Sequence, residues 1–266
     1  MEWFEALILG FVQGLTEFLP VSSSGHLVIG RDLLGVEASD DLVFEVTVHA
    51  ATVLSTIVVF RSQLWSLVKG FFRFRDSDEM DYVLKIFVSM VPVFVVGVFF
   101  KDAVAGLFGS VRSVAWALLA TAVLLCFSDF FKGFRKVREK EYRNGISWWQ
   151  ALVVGLSQAV AVIPGLSRSG TTIATGLISG VRRDVMAQFS FLMVLIPILG
   201  ETFLQLVGGE MAESTIGWLP LALGFLSAFV SGLFACKVMI ALVKKARLSW
   251  FALYCFIVAV IILVVK

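Results

Sequence analysis

Charge is scarce in this chain of 266 residues. Only 16% of the residues are charged, whereas 59% are hydrophobic, and the mean hydropathy is +0.93. A soluble domain carries about 25% charged residues because its surface must face water. The shortage of charge therefore excludes a soluble enzyme and predicts an integral membrane protein.

Cysteine is also rare, and its placement excludes a metal or redox centre built on thiols. Cys126, Cys236 and Cys255 each lie inside an apolar run, and none has the spacing of a metal-ligand pair. We expect them to be buried and inert. The net charge of only +2, with no basic patch, likewise excludes a nucleic-acid partner.

Long apolar runs are abundant instead. A helix needs about 20 apolar residues to cross a bilayer. Two stretches, 3–35 and 148–180, are apolar but interrupted in the middle by Pro, Gly and Ser. Six uninterrupted runs are close to the required length and cover residues 43–61, 82–100, 113–131, 185–207, 218–240 and 249–265. The pattern predicts an all-α, multi-pass membrane protein.

The basic residues predict how these runs are oriented. Clusters of Lys and Arg follow the first, third and fifth runs, whereas acidic residues dominate the segments between them. Basic loops stay on the cytoplasmic side. We therefore expect residues 132–147 to lie inside, and residues 36–42 and 208–217 to lie outside.

An internal repeat divides the chain into two halves. When the sequence is shifted by 145 residues, eight of the 23 positions from 3 to 25 are identical, and Gln13 falls on Gln158 and Ser22 on Ser167. The later runs keep nearly the same offset. The prediction is repeat one at about 1–131, a cytoplasmic linker at 132–147 and repeat two at about 148–266.

Each repeat then holds one interrupted segment and three spans. If the interrupted segments are re-entrant helical hairpins, each half crosses the membrane an odd number of times, so the second half is inverted relative to the first. The predicted fold is all-α, with six transmembrane helices and two re-entrant hairpins in two inverted-topology repeats. The two hairpin tips should meet near the midplane, as in transporters with broken helices.

The tips carry polar side chains that the bilayer disfavours. The first reads "TEFLPVSSSGHL" from Thr16, and the second reads "VIPGLSRSGTTIATG" from Val162. A charged side chain at the bilayer centre costs about 2.5–3.5 kcal/mol on insertion scales. Polar backbone at that depth is tolerated only where it is buried in protein or lines a wet cavity. We infer that the tips form a functional site.

The second tip has the donors of an oxyanion site. The guanidinium of Arg168 stands among hydroxyls at the start of a half-helix, where backbone N–H groups also face outward. In the first tip, Gln13 and Glu17 share a helix face. Ser23 and His26 are a minimal nucleophile and base. Glu17 could orient the imidazole or hold a divalent cation. This arrangement predicts phosphoryl transfer.

The two tips resemble the motifs of the undecaprenyl-diphosphate phosphatase family, membrane enzymes associated with bacitracin resistance. The motif (E/Q)xxxE is present as residues 13–17, followed by "FLPVSSSGHL", and PGxSRSxxT is present as residues 164–172. The resemblance covers the whole chain in length and span pattern. It implies removal of the terminal phosphate of undecaprenyl diphosphate, which gives the monophosphate carrier lipid of cell-wall synthesis. It also implies a site that opens to the outer (periplasmic) side.

The resemblance further assigns roles by motif position. Gln13 and Glu17 would hold a divalent cation, Mg²⁺ or Ca²⁺. Ser23 and His26 would be the catalytic pair, assisted by Glu17 and Arg168. The expected diphosphate cradle consists of hydroxyl and guanidinium groups from both tips, namely Ser22, Ser24, Ser167, Arg168, Ser169 and Thr172. The nucleophile stays open between serine, histidine and activated water, and Ser23 with His26 as its base is favoured.

Alternatives remain at this stage. Inverted repeats also suit a transporter or flippase of a polyprenyl-phosphate lipid, but such a carrier needs Arg168 and not a nucleophile and base. His49, with Glu45 one turn before it in the first span, could line the cavity, although a packing histidine with a satisfied hydrogen bond is the favoured interpretation. Membrane lipid is an expected partner, and the sequence allows a homodimer without indicating one.

Overall fold

The computed structural model describes residues 1–36, 41–100, 110–131, 142–208, 216–245 and 247–266. These residues form eleven α-helices and one short 3₁₀ turn, with no strand among them. In chain order, the helices are α1 Trp3–Phe18, α2 Ser23–Leu34, α3 Asp41–Val59, α4 Arg61–Phe71, α5 Asp78–Phe99, α6 Val111–Phe131, α7 Trp148–Val160, α8 Arg168–Ile178, α9 Arg183–Gly208, α10 Trp218–Lys245 and α11 Ser249–Val265. The predicted all-helical class is confirmed.

Four of these helices are long and apolar enough to cross a membrane. They are α5, α6, the Arg183–Gly200 part of α9 and the Trp218–Val243 part of α10. A fifth candidate is the pair α3 and α4, which is bent by 80° at Phe60. The helix α11 is apolar but has only 17 residues. The protein is therefore a multi-pass membrane protein with four or five candidate spans among the described residues.

The bend after α3 was not predicted. The sequence analysis extended one straight span from 43 to 61, but α3 ends at Val59 and the chain turns into α4. The helix α4 carries Arg61 and Lys69 beside exposed Trp65 and Val68. A helix with both charged and exposed apolar side chains suits the membrane interface better than the bilayer core.

Both predicted interruptions are present as breaks between helices. The first separates α1 from α2 at residues 19–22, and the second separates α7 from α8 at residues 161–167. Leu19 is extended, as the residue before a proline usually is. In the second break, Gly165 has a φ of 85°, a conformation in which a side chain would be strained. Proline and glycine thus separate one helix from the next at each break.

The two new helices start with the same capping interaction. Ser22 caps α2 and accepts a hydrogen bond of 3.2 Å from the backbone N–H of Gly25. Ser167 caps α8 and accepts one of 3.0 Å from the N–H of Gly170. A serine N-cap contributes about 1 kcal/mol to a helix. Residues that are 145 positions apart therefore have the same capping geometry as well as the same amino-acid type.

The first helix of each half packs against the other half. The helix α1 lies on α10, and α7 lies on α5. Both crossings depend on a glycine, and the two glycines are 145 residues apart. A Cβ at Gly10 would lie 2.3 Å from the backbone oxygen of Gly224, and a Cβ at Gly155 would lie 2.1 Å from that of Ser89. Small residues allow such close helix contacts in membranes.

A polar cluster ties the end of the linker to α5. Lys85 is almost fully buried, and its Nζ donates to Asp81 at 2.5 Å and to the carbonyl oxygen of Arg143 at 3.0 Å. Arg143 in turn donates to Asp76 and Asp78, and these hydrogen bonds raise the pKa of its guanidinium. Residues 132–141 of the predicted linker lie outside the described residues, as do 37–40 and 209–215 of the predicted outer loops.

Candidate active site

The two helix breaks contact each other. The hydroxyl of Ser169 in α8 donates a hydrogen bond of 3.1 Å to the carbonyl oxygen of Leu19 in the first break. A Cβ at Gly170 would lie 3.2 Å from the Cβ of Pro20. The expectation that the tips meet agrees with these contacts.

Glu17 is the centre of the hydrogen-bond network between the tips. Its Oε2 accepts a hydrogen bond of 2.5 Å from the Ser23 hydroxyl and one of 2.9 Å from Nε2 of Gln13. Its Oε1 lies 3.4 Å from Nη2 of Arg168. The carboxylate is largely buried, whereas the Arg168 side chain is 27% exposed. An incompletely buried guanidinium at 3.4 Å retains donors for an anion.

Two small cavities meet at these residues. One is polar and is lined mainly by serines, namely Ser22, Ser23, Ser24, Ser167 and Ser169, together with Glu17 and Arg168. The other, which we call the apolar cavity, is lined on one side by apolar side chains of α1, α3 and α9, namely Phe18, Val53, Phe191, Val194, Leu195 and Ile198, and also by Thr52, Thr56 and Ser190. Glu17, Arg168 and Ser169 line both cavities. A polar head and an apolar tail thus have adjacent compartments.

The helix starts add to the electrostatics of the polar cavity. The helix α2 begins at Ser23 and α8 begins at Arg168, and both residues line this cavity. A helix N-terminus carries about half a positive charge from its aligned peptide dipoles. Two such termini beside a guanidinium favour an anion with several oxygens, such as a phosphate.

The side chains of His26 and Ser23 have different hydrogen-bond partners. Its Nδ1 lies 2.7 Å from the carbonyl oxygen of Ser22, and its Nε2 lies 2.8 Å from the hydroxyl of Tyr254. The two rings are stacked, with centroids 5.6 Å apart. Within the described residues, no hydrogen bond joins Ser23 to His26. The structure therefore brings Ser23 together with Glu17.

Thr172 also has other partners. The residue is fully buried, and its hydroxyl lies 2.9 Å from the carbonyl oxygen of Arg168 and 2.6 Å from the Ser190 hydroxyl. The contact with Ser190 joins α8 to α9. Ser24 lies 3.5 Å from Ser22, oxygen to oxygen, at the edge of the polar cavity. Of the expected cradle residues, all but Thr172 line this cavity.

The structure places His49 beside Glu17, although the sequence analysis favoured a packing role for it over a place at the cavity. Its Nδ1 is hydrogen-bonded to the carbonyl oxygen of Glu45, as a packing residue would be. Its Nε2, however, lies 3.7 Å from Oε2 of Glu17. Glu45 points elsewhere and pairs with Arg31 at 2.8 Å. The sequence feature that could have indicated the position of His49 is an ionisable residue within an apolar run.

The second residue that sequence reasoning missed is Tyr254. It contacts His26 across 228 residues of chain, from α11. A tyrosine in an apolar run carries no local signal, because only the packing of α11 determines which side chain it meets.

Comparison with known proteins matches nearly the whole sequence to one family. The model of the family described as bacitracin resistance protein BacA matches residues 6–261. A protein named undecaprenyl-diphosphatase from Bacteroides fragilis is 52% identical over 270 residues, covering 100% of this chain and 99% of that protein. A protein of the same name from Halothermothrix orenii is 37% identical, covering 99% of this chain and 98% of that protein. The chain therefore belongs to the family of the bacitracin resistance protein BacA.

Proposed function

We propose that this protein hydrolyses the terminal phosphate of undecaprenyl diphosphate to give the monophosphate carrier lipid for cell-wall synthesis. The observation that carries the proposal is the polar cavity, in which Arg168 and two helix N-termini face the Ser23–Glu17 hydrogen bond. Relatives named undecaprenyl-diphosphatase, at 52% identity over nearly their full length, support the same reaction.

The proposal places the substrate across the two cavities in one orientation. The diphosphate occupies the polar cavity, where Arg168 and the serine hydroxyls donate hydrogen bonds to its oxygens. The first part of the prenyl chain occupies the apolar cavity beside Phe18 and Phe191. Thr172 stabilises this arrangement, because the hydrogen bond between its hydroxyl and that of Ser190 joins α8 to α9.

The hydrogen bond between Ser23 and Glu17 provides the first chemical step. The Ser23 oxygen attacks the terminal phosphorus while its proton passes to Oε2 of Glu17. The bond from that phosphorus to the bridging oxygen breaks, and undecaprenyl monophosphate leaves. A water then hydrolyses the phosphoserine, giving inorganic phosphate and returning the serine. The geometry thus favours Glu17, rather than His26, as the acceptor of the serine proton.

A divalent cation, Mg²⁺ or Ca²⁺, fits beside Glu17 and Gln13. Gln13 is fully buried, and its Oε1 has no hydrogen-bond partner among the described residues. Those residues contain no cluster of three His, Cys, Asp or Glu side chains that could hold a metal. Mg²⁺ commonly uses one or two protein oxygens and takes the rest from phosphates and water. When bound, the cation would offset charge on the diphosphate.

The proposal also covers how the chain crosses the membrane. Six crossings and two re-entrant hairpins form two inverted repeats, at about 1–131 and 148–266, joined by the linker 132–147. Support comes from the 145-residue offset, the matched serine caps and the reciprocal packing of α1 and α7. The protein lies in the cytoplasmic (inner) membrane, with the site open to the outer side. We retain the homodimer as an expectation, which light scattering of the purified protein tests.

Phosphate release from undecaprenyl diphosphate by the purified protein tests this function. We expect turnover that falls when a chelator is added and falls strongly in Ser23→Ala. A carrier or flippase has no need of the Ser23–Glu17 pair. Transport of polyprenyl phosphate without phosphate release would therefore contradict the proposal and favour that alternative.

A further inference from the structure

We propose that His49 is a third protein ligand of the divalent cation and binds it through Nε2, alongside Glu17 and Gln13. The inference rests on the cation that is part of the proposed function. It adds a nitrogen donor from α3 to a site that sequence motifs place only on α1.

The tautomer of His49 follows from its first hydrogen bond. Nδ1 lies 2.8 Å from the carbonyl oxygen of Glu45. A carbonyl oxygen only accepts, so the proton of this hydrogen bond belongs to Nδ1. In the neutral ring, Nε2 then carries a lone pair. Backbone hydrogen bonding of one ring nitrogen is the usual way in which a metal-binding histidine is oriented.

The lone pair faces a second acceptor. Nε2 lies 3.7 Å from Oε2 of Glu17, which is too long for a direct hydrogen bond. A neutral imidazole nitrogen and a carboxylate oxygen repel each other unless positive charge lies between them. Two ligands of one cation, each with a bond of about 2.0–2.2 Å, are about 3–4 Å apart. The observed separation is in this range.

Gln13 provides an independent observation. Its Nε2 donates to Glu17, yet its Oε1 is buried without a hydrogen-bond partner among the described residues. A buried acceptor left without a partner is destabilising, because it has lost its hydrogen bonds to water. A cation beside Glu17 would satisfy this oxygen. Glu17 thus has a histidine nitrogen 3.7 Å from its Oε2 and is hydrogen-bonded to an amide whose own oxygen lacks a partner among the described residues.

A nitrogen ligand also predicts which cations bind well. Ca²⁺ uses oxygen ligands almost exclusively, whereas imidazole suits transition metals such as Ni²⁺ and Zn²⁺. Replacement of His49 by Gln should therefore weaken Ni²⁺ or Zn²⁺ binding by about tenfold or more. Ca²⁺ binding should change much less.

Pulsed electron paramagnetic resonance with Mn²⁺ tests the assignment directly. The chain has only two histidines, His26 and His49. Protein grown with ¹⁵N-histidine should show ¹⁵N hyperfine coupling to bound Mn²⁺. His49→Gln should abolish this coupling, whereas the matched control His26→Gln should retain it. The wild-type spectrum is informative even if a variant does not fold.

The outcomes separate this inference from the proposed function. Mn²⁺ that binds without histidine coupling, and that is lost in Glu17→Gln, leaves the cation in place but overturns the role of His49. An imidazolium paired with Glu17 would give that result. Coupling that disappears in His26→Gln instead also overturns it. Mn²⁺ binding that is unchanged in Glu17→Gln contradicts the cation in the proposed function itself.

Discussion

The hydroxyl of Ser23 donates a 2.5 Å hydrogen bond to Oε2 of Glu17, from the first residue of α2 to the last turn of α1. The two residues lie on either side of the first helix break. Pro20 and a left-handed Ser22 fold the chain back so that Ser23 and Glu17 meet. The break is therefore what assembles the pair to which we assign the first chemical step.

The first prediction concerns this pair. Ser23→Ala and Glu17→Gln should each lower kcat by a factor on the order of 10³ or more, because each removes one half of a single proton transfer. The double variant should be little slower than either single variant. Phosphate release by correctly folded protein measures the effect. Substantial turnover in Ser23→Ala would show that the serine is only a donor to substrate and that histidine or water attacks.

Arg168→Lys should lose most activity although the charge is kept. The planar guanidinium can hold two phosphate oxygens, whereas an ammonium acts as a point charge. Loss of one hydrogen bond between charged groups predicts a fall of about 10- to 100-fold in kcat/KM. Steady-state kinetics in detergent measure it. Near-normal kinetics in the lysine variant would mean that Arg168 is structural.

Tyr254→Phe should alter His26 while leaving the stacked ring in place. The variant removes the hydroxyl that lies 2.8 Å from Nε2. One neutral hydrogen bond contributes about 0.5–1.5 kcal/mol, so we expect kcat to fall by about 2- to 10-fold. The ¹⁵N resonance of His26 Nε2 should also shift. A changed kcat with an unchanged resonance would place the effect of Tyr254 elsewhere.

Gly155→Ala should destabilise the protein. The added Cβ would lie 2.1 Å from the backbone oxygen of Ser89, so α5 and α7 must separate. Overpacking of this kind costs about 1–3 kcal/mol. Gly97→Ala in α5 is the matched control, because its Cβ meets nothing within 4 Å. Thermal unfolding in detergent should show a lower midpoint for the first variant alone, and equal midpoints would contradict the close crossing.

The fifth prediction concerns topology. Single cysteines at Ser39 and Tyr142 should react with an impermeant thiol reagent from opposite sides of the membrane. The basic segments place residue 142 inside and the acidic loop places residue 39 outside. The unsubstituted protein provides the background labelling, which is needed because Cys126 is exposed and not buried as expected, whereas Cys236 and Cys255 are buried. Reaction of both positions from the same side would contradict the inverted repeats.

The sequence predicted the parts of the site that depend on local motifs. Pro20 and Gly165 marked the helix breaks, and the repeated serines marked the caps. Because charged groups at membrane depth need partners, it also predicted that Glu17 and Arg168 belong to one site. Local patterns thus identified both tips.

The parts that it missed depend on how distant helices pack. His49 meets Glu17 only because α3 lies beside α1, and Tyr254 meets His26 only because of where α11 lies. No proline or glycine at Phe60 indicates the 80° turn in the sequence. These features come from tertiary contacts, which hydropathy and spacing do not encode.

Glu17, Arg168 and Ser169 line both the polar and the apolar cavity. In the proposed orientation of the substrate, the charged head therefore meets the first hydrocarbon units of the lipid beside these three side chains. The proposed function requires them to recognise this boundary between diphosphate and prenyl chain.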